Sequence, residues 1–131
     1  MSPNVRRLPD AELEVMLVIW SADQSVNSQY ILRRMEGQRK WKLATLLTVL
    51  TRLVDKGFLS CEKNYRNNLY SPIISIEEYR RKESRTMFEK LYSNSFSSLV
   101  ASLFDTKTIP AEDLESLKTL LDDSGREGNQ C

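Results

Sequence analysis

The sequence predicts a mainly α protein of 131 residues with one short β-hairpin, an α+β arrangement that ends in a helical bundle. Apolar residues recur at three- and four-residue spacing through most of the chain, which is the period of helices with one buried face. The period shortens to two on either side of a polar turn near residues 64–68. With 40% hydrophobic residues and 28% charged residues, the composition is that of a globular protein.

Two helices are predicted before residue 40. The first begins at Asp10, a suitable N-cap residue, and so many of its positions are apolar that it should be enclosed on most sides. The second follows Asn27, another N-cap residue, with Val26 packed against Ile31 as a hydrophobic staple. It ends near Gly37, and the basic connection 38–42 leads from it into the next helix.

The third helix is predicted over residues 43–56 and ends at Gly57, where a positive φ is needed. Thr45, Thr48 and Arg52 fall within about 60° of one another on one side. Because Thr and Arg suit base edges and phosphates, this helix has the composition of a DNA recognition helix; the alternative is a solvated helix surface. The opposite face is predicted to be apolar and comprises Leu43, Leu46, Leu47, Leu50, Leu53 and Val54.

Two strands, over residues 58–63 and 68–73, are predicted to form a hairpin directly after this helix. Three helices followed by a hairpin form a winged helix-turn-helix domain, predicted over residues 1–74. Wing tips commonly lie along the DNA backbone or minor groove, although an ordinary polar turn is the alternative here. The predicted DNA-binding residues are Lys40, Lys42, Thr45, Thr48, Arg52, Lys63, Arg66 and Asn67.

Residues 75–123 are predicted to form three further helices, and residues 124–131 a disordered tail. Ser75 opens a capping box, and Pro110 lies close to the start of the last helix, capped by Thr108 or Ile109. Because the apolar stripes exceed what three helices can bury, we expect a C2 homodimer, with folding back onto the first domain as the alternative. The predicted dimerisation residues are Phe88, Leu91, Tyr92, Phe96, Leu99, Val100, Leu103, Phe104, Leu114, Leu117, Leu120 and Leu121.

The residue types argue against an enzyme and against a bound cofactor or metal. The chain has no histidine, which excludes Ser-His-Asp and Cys-His catalysis as well as His-bearing metal sites. No glycine-rich phosphate loop is present among its 4 glycines. Carboxylate pairs are expected on polar helix faces as solvated charge instead of acid–base catalysts: Glu12 with Glu14, and Glu77 with Glu78.

Charge is distributed unevenly along the chain. Residues 1–72 carry 11 Lys and Arg against 7 Asp and Glu, a net charge of +4, whereas residues 73–131 carry 8 against 11, a net of −3. This asymmetry indicates that only the first part meets a polyanion. The two separated cysteines and the absence of a signal segment or a membrane-spanning run predict a reduced, cytoplasmic location without membrane insertion.

From about residue 8 to residue 122 the chain resembles the BlaI/MecI penicillinase-repressor family, which also includes the copper-responsive CopY repressors. The resemblance is carried by AELEVMLVIW, LYSPII and KLYSNSFSSLVASLF, and by Trp41, Thr45, Thr48, Arg52, Leu53, Lys56, Gly57 and Phe58. It implies a homodimeric winged-helix repressor of resistance genes that binds double-stranded operator DNA at dyads of TACA/TGTA type. In this family Thr45, Thr48 and Arg52 would lie on the recognition helix.

The resemblance also implies induction by proteolysis in the dimerisation helices, triggered by a membrane-bound sensor or protease of the β-lactam branch. The family's Asn-Phe cleavage pair corresponds here to Ser102-Leu103, which is a departure. Lys42-Leu43-Ala44 replaces the usual Ser-Pro-Lys, and Leu47 stands where relatives often have a polar residue. Copper sensing is not expected, because Cys131 alone cannot supply the CopY metal motif.

Two other classes of function are left open by the residues. A winged-helix protein-interaction module would leave the exposed Thr and Arg side chains solvated, and its affinity for DNA would not depend on salt. A small-molecule-sensing regulator would need a pocket between the two domains, but the sequence shows no convergent polar cluster for one.

Overall fold

The computed structural model describes residues 5–64, 66–104 and 110–129. Two compact units make up the chain, one as far as Ser84 and one from Arg85 onward. The predicted mainly α fold with one hairpin is confirmed. The elements in chain order are α1 (Asp10–Ser21), α2 (Ser28–Met35), α3 (Leu43–Asp55), β1 (Leu59–Asn64), β2 (Asn67–Pro72), α4 (Ile76–Leu91), α5 (Phe96–Phe104) and α6 (Ala111–Asn129).

The first unit packs α1, α2, α3 and the hairpin around one apolar core. Strands β1 and β2 are antiparallel, with Leu59 opposite Pro72 and Asn64 opposite Asn67. The loop before α2 joins the sheet, because the amide of Val26 donates to the carbonyl of Tyr70 at 3.0 Å and the amide of Tyr70 donates back at 2.7 Å. The hairpin is thereby fixed to the helical part of the unit.

Helix ends follow the local chemistry of the sequence, with one exception. The Asn27 side chain accepts from the amide of Tyr30 at 2.8 Å, and Gly57 has a φ of 83°, both as predicted. The Ser75 hydroxyl accepts from the amide of Glu78 at 3.1 Å. The prediction that Asp10 caps α1 is wrong: Pro9 occupies the N-cap position, and the acidic Asp10 lies in the first turn, where it favours the helix dipole.

The first compact unit extends past the predicted boundary at residue 74, because Tyr79 of α4 packs into its core. The Tyr79 ring lies 5.6 Å from the ring of Trp20 and 5.9 Å from that of Phe58. Its hydroxyl accepts from the buried amide of Leu8 at 3.0 Å. Burial raises the pKa of Tyr79, with a smaller lowering from this hydrogen bond.

The second unit comprises the C-terminal half of α4 together with α5 and α6. Ser93 and Asn94, with φ of 47° and 63°, separate α4 from α5. Helix α6 continues to Asn129 into the stretch predicted to be a disordered tail, because each added residue gains a helical hydrogen bond despite two glycines. The predicted caps Thr108 and Ile109 lie outside the described residues. None of the described helices is long and apolar enough to cross a membrane.

Candidate nucleic-acid interface

Helix α3 separates a buried face from an exposed face. Leu46, Leu50 and Leu53 are fully enclosed by the core, and Val49 is buried with them. The prediction that Leu47 belongs to the apolar face is wrong, since 39% of this residue is exposed. At about 100° per residue the buried positions cover only about 100° of arc, and Leu47 falls outside it. The exposed face comprises Ala44, Thr45, Leu47, Thr48, Thr51, Arg52 and Asp55.

A partly buried ion pair holds the end of α3 against α1. The ammonium group of Lys56 lies 2.5 Å from the carboxylate of Glu12, which is only 5% exposed. The prediction that Glu12 is solvated surface charge is wrong. The apolar residues around Glu12 in α1 indicate from the sequence that this residue is buried. A buried carboxylate requires a partner, which here is Lys56.

The connection before α3 is held in a similar way. The guanidinium of Arg39 pairs with Glu14 of α1 and lies 5.4 Å from the centre of the Trp41 ring. Glu14, also predicted to be solvated, is therefore partnered. Lys40 and Lys42 are exposed beside this anchored turn. Lys42 is the N-cap residue of α3 and makes no side-chain cap.

The threonine hydroxyls of α3 are engaged within the helix. Thr48 Oγ1 donates to the carbonyl of Ala44 at 3.1 Å, and Thr51 Oγ1 donates to the carbonyl of Leu47 at 2.9 Å. Each hydroxyl keeps lone pairs that can accept a hydrogen bond, but its proton is directed back to the helix backbone. In this conformation the Thr48 hydroxyl can therefore offer a ligand its acceptor lone pairs and its methyl group, and the binding of DNA by Thr48 stays a prediction.

The hairpin presents a polar and basic end. Asn64 pairs with Asn67, so the turn is shorter than the predicted five-residue tip. Lys63, Arg66 and Asn67 are exposed there, in the same unit as α3. Cys61 is a free, exposed thiol on β1, opposite Tyr70. All eight residues predicted to bind DNA are thus exposed in the first unit.

The sequence profile described as penicillinase repressor matches residues 8–123. The chain belongs to the penicillinase repressor family. It is 29% identical to the penicillinase repressor of Bacillus licheniformis over 120 residues, which cover 92% of this chain and 93% of the relative. It is 26% identical to the methicillin resistance regulatory protein MecI of Staphylococcus aureus (strain N315), covering 92% of this chain and 98% of that protein.

The solution structure of the DNA-binding domain of the repressor BlaI matches 60% of this chain and 94% of that domain, with a TM-score of 0.52 and 35% identity. This likeness confirms the winged-helix fold predicted for the first unit. Membership of the penicillinase repressor family identifies the chain as a DNA-binding repressor, and the exposed face of α3 with the hairpin is its candidate interface.

The second unit of this penicillinase repressor family member leaves its apolar stripes open. Helices α5 and α6 border a groove of about 530 Å³ lined by Phe96, Ser97, Val100, Ala101, Leu114, Leu117, Lys118 and Leu121. Leu91 is 73% exposed and Leu120 63% exposed. Of the twelve predicted dimerisation residues, Phe104 has a side chain outside the described set, and none of the other eleven is buried. Ser102 and Leu103 both lie exposed in α5.

Proposed function

We propose that this chain is a homodimeric repressor that binds a dyad in double-stranded operator DNA. The observation that carries the proposal is the exposed face of α3, where Thr45, Thr48 and Arg52 lie opposite a fully buried face. A helix of this size fits the major groove, with its N-terminal residues nearest the base edges. The ion pair from Lys56 to Glu12 and the anchored Arg39 hold that helix in one orientation.

The basic side chains around α3 suit different kinds of contact with DNA. Lys40 and Lys42, exposed just before the helix, suit phosphate contacts, while Arg52 can donate two hydrogen bonds to guanine or to phosphate. Lys63, Arg66 and Asn67 extend the contact to the backbone or minor groove beside the wing. This arrangement favours DNA over a protein ligand, because the cations border the helix surface instead of an apolar cleft.

The second unit supplies the dimer in this proposal. Its exposed apolar side chains would be removed from water by the same surface of a second copy, which is the self-complementary contact of a C2 dimer. Two recognition helices then bind two half-sites at once, so the dimer binds far more tightly than one unit alone. The names of the relatives support resistance to β-lactam antibiotics as the regulated trait.

The resemblance to the penicillinase repressor family implies induction by proteolysis, and we include that step in the proposal. A cut between Ser102 and Leu103 would divide α5 and separate the apolar residues on its two sides. The dimer would lose stability, and operator affinity would fall with it. We propose that a membrane-bound sensor or protease starts this step, and that the repressor acts in the cytoplasm without enzymatic activity or cofactor.

The test is selection of bound duplexes from a random pool by the full chain at near-physiological salt. Enrichment of an inverted repeat is the expected result. Arg52→Ala should then weaken binding to that repeat by about 1–3 kcal/mol, and Lys42→Ala should reduce the salt dependence by about one phosphate contact. Arg80→Ala, on an exposed position of α4, is the matched control. A pool with no enriched sequence and no binding at this salt would contradict the proposal and favour a protein-interaction module.

A further inference from the structure

The exposed face of α3 contains an apolar strip of which the proposed operator contacts use only Thr48. It consists of Ala44, Leu47, Thr48 and Thr51, which we call the methyl strip. These positions are spaced by three and four residues, so their side chains are neighbours on one side of the helix. All four are exposed, and Leu47 contributes the largest apolar group, with 39% of the residue exposed.

The hydrogen bonds inside α3 make this strip more apolar than its composition indicates. Because Thr48 and Thr51 each donate a hydroxyl proton to a backbone carbonyl four residues earlier, neither has a proton left for a base. What the two threonines still offer is a γ-methyl group and an acceptor lone pair. Together with the methyl of Ala44 and the isobutyl group of Leu47, the strip offers apolar contact and few donors.

The surroundings of the strip indicate what binds it. Exposed Lys40 and Lys42 precede α3, and Arg52 lies on the neighbouring side of the helix. A ligand that fits this surface must be anionic along its edges and apolar where it faces Leu47. In duplex DNA the apolar group on a base edge is the C5-methyl of thymine, which projects into the major groove.

We propose that the methyl strip contacts thymine C5-methyl groups in each operator half-site, and that Leu47 determines this specificity. The inference rests on the proposed operator binding and adds the base class and the residue. A polar side chain at position 47 would instead select a base by hydrogen bonding. Leu47 should bind a thymine methyl group favourably. It should bind other base edges less tightly, because it would leave their polar groups without hydrogen-bond partners.

The test uses the full chain and the operator obtained by selection. Each thymine is replaced in turn by uracil, which removes the C5-methyl and leaves the Watson–Crick groups in place. Binding is measured by fluorescence anisotropy. One contacted methyl group is expected to be worth about fourfold in affinity, as for burial of one methylene. In Leu47→Ala the uracil penalty should vanish at one base pair in each half-site and persist at the others.

Ile73→Ala is the matched control, because Ile73 is a 57% exposed apolar residue of the same unit but lies outside α3. It should keep every uracil penalty of the unmodified chain. The inference is overturned if the unmodified chain binds every uracil-substituted operator as tightly as the original operator. It is also overturned if Leu47→Ala loses affinity at all the same uracil substitutions as the unmodified chain. In both cases a selected inverted repeat would still support operator binding, whereas failure to select any repeat contradicts operator binding itself.

Discussion

The two units of this chain differ in where their apolar side chains lie. Within the described residues, the first unit buries 16 apolar side chains, from Leu8 to Tyr79. From Arg85 onward no described side chain is buried, and five large apolar residues are at least 44% exposed. The first unit therefore has a core with which to fold alone, whereas the apolar surface of the second unit stays exposed and would be covered in the proposed dimer. We therefore expect substitutions in the first unit to change folding stability and substitutions in the second unit to change association. Four substitutions test this expectation.

The largest effect is expected from Leu99→Asp, a half-exposed position of α5. A carboxylate placed in an apolar interface loses its hydration, so we expect the dimer dissociation constant to rise by at least about 100-fold. Sedimentation velocity should show monomers at micromolar concentration, and operator affinity should fall. Ile73→Asp, an exposed apolar position of the first unit, should stay dimeric. A Leu99→Asp dimer would mean that the interface lies elsewhere.

Phe58→Ala should act on folding alone. Phe58 is fully buried, so its truncation leaves a cavity that lowers the free energy of unfolding of the first unit by about 3–5 kcal/mol. Urea unfolding followed by tryptophan fluorescence measures this, because Trp20 and Trp41 both lie in that unit. Leu91→Ala should change the same transition by less than about 0.5 kcal/mol. An equal effect of both substitutions would contradict the separation of the units.

Glu12→Gln removes the carboxylate that neutralises Lys56 at the end of α3. We expect a loss of about 1.5–3 kcal/mol, the range for hydrogen bonds to charged groups, and not more, because the Lys56 side chain is 24% exposed. The matched control is Glu83→Gln, whose partner Arg7 has an 81% exposed side chain. That surface pair should contribute at most about 1 kcal/mol. If the two variants unfold alike, the Lys56 pair is no more than a surface ion pair.

Tyr79→Phe tests where the first unit ends. Loss of the hydroxyl leaves the buried amide of Leu8 without its acceptor, at an expected cost of about 1–2 kcal/mol. Tyr92→Phe, in the second unit, is the control. The raised pKa of Tyr79 means that its contribution is fully present below the ordinary tyrosine pKa of about 10 and is lost as pH rises through the raised value. The loss of folding stability at alkaline pH should be smaller in Tyr79→Phe. If the free energy of unfolding of this variant falls with pH as in the unmodified chain, Tyr79 is not the group responsible.

Local features could be predicted from the sequence, while contacts between distant residues could not. The Asn27 cap, the Gly57 turn and the Ser75 cap each depend on neighbours within four residues, and all three are present. The pair from Lys56 to Glu12 spans 44 residues and the bond from Leu8 to Tyr79 spans 71. No periodicity encodes such pairings, so the sequence could not predict the burial of Glu12 or the contact between Tyr79 and Leu8.

At the candidate site, too, the sequence predicted what depends on local periodicity and not what depends on packing by distant residues. Periodicity placed Thr45, Thr48 and Arg52 on one side of α3, and the structure leaves all three exposed there. Periodicity gives the angle of a side chain but not how much of the helix its neighbours cover, which is why Leu47 was assigned to the core. The hydroxyl bonds of Thr48 and Thr51 are local, to carbonyls four residues earlier, and belong to one of the two χ1 rotamers that threonine adopts in helices, so the sequence allows them without selecting them. The roles of these residues in binding stay predictions.

The paired backbone bonds between Val26 and Tyr70 have a consequence for amide exchange with solvent. Because the two amides donate to each other's carbonyls, the wing cannot open at this point without also releasing the segment that starts α2. Both amides should therefore show the same protection against deuterium exchange, relative to their intrinsic rates, as members of one cooperative opening unit. The base of the hairpin that follows α3 would then open only together with the helical core.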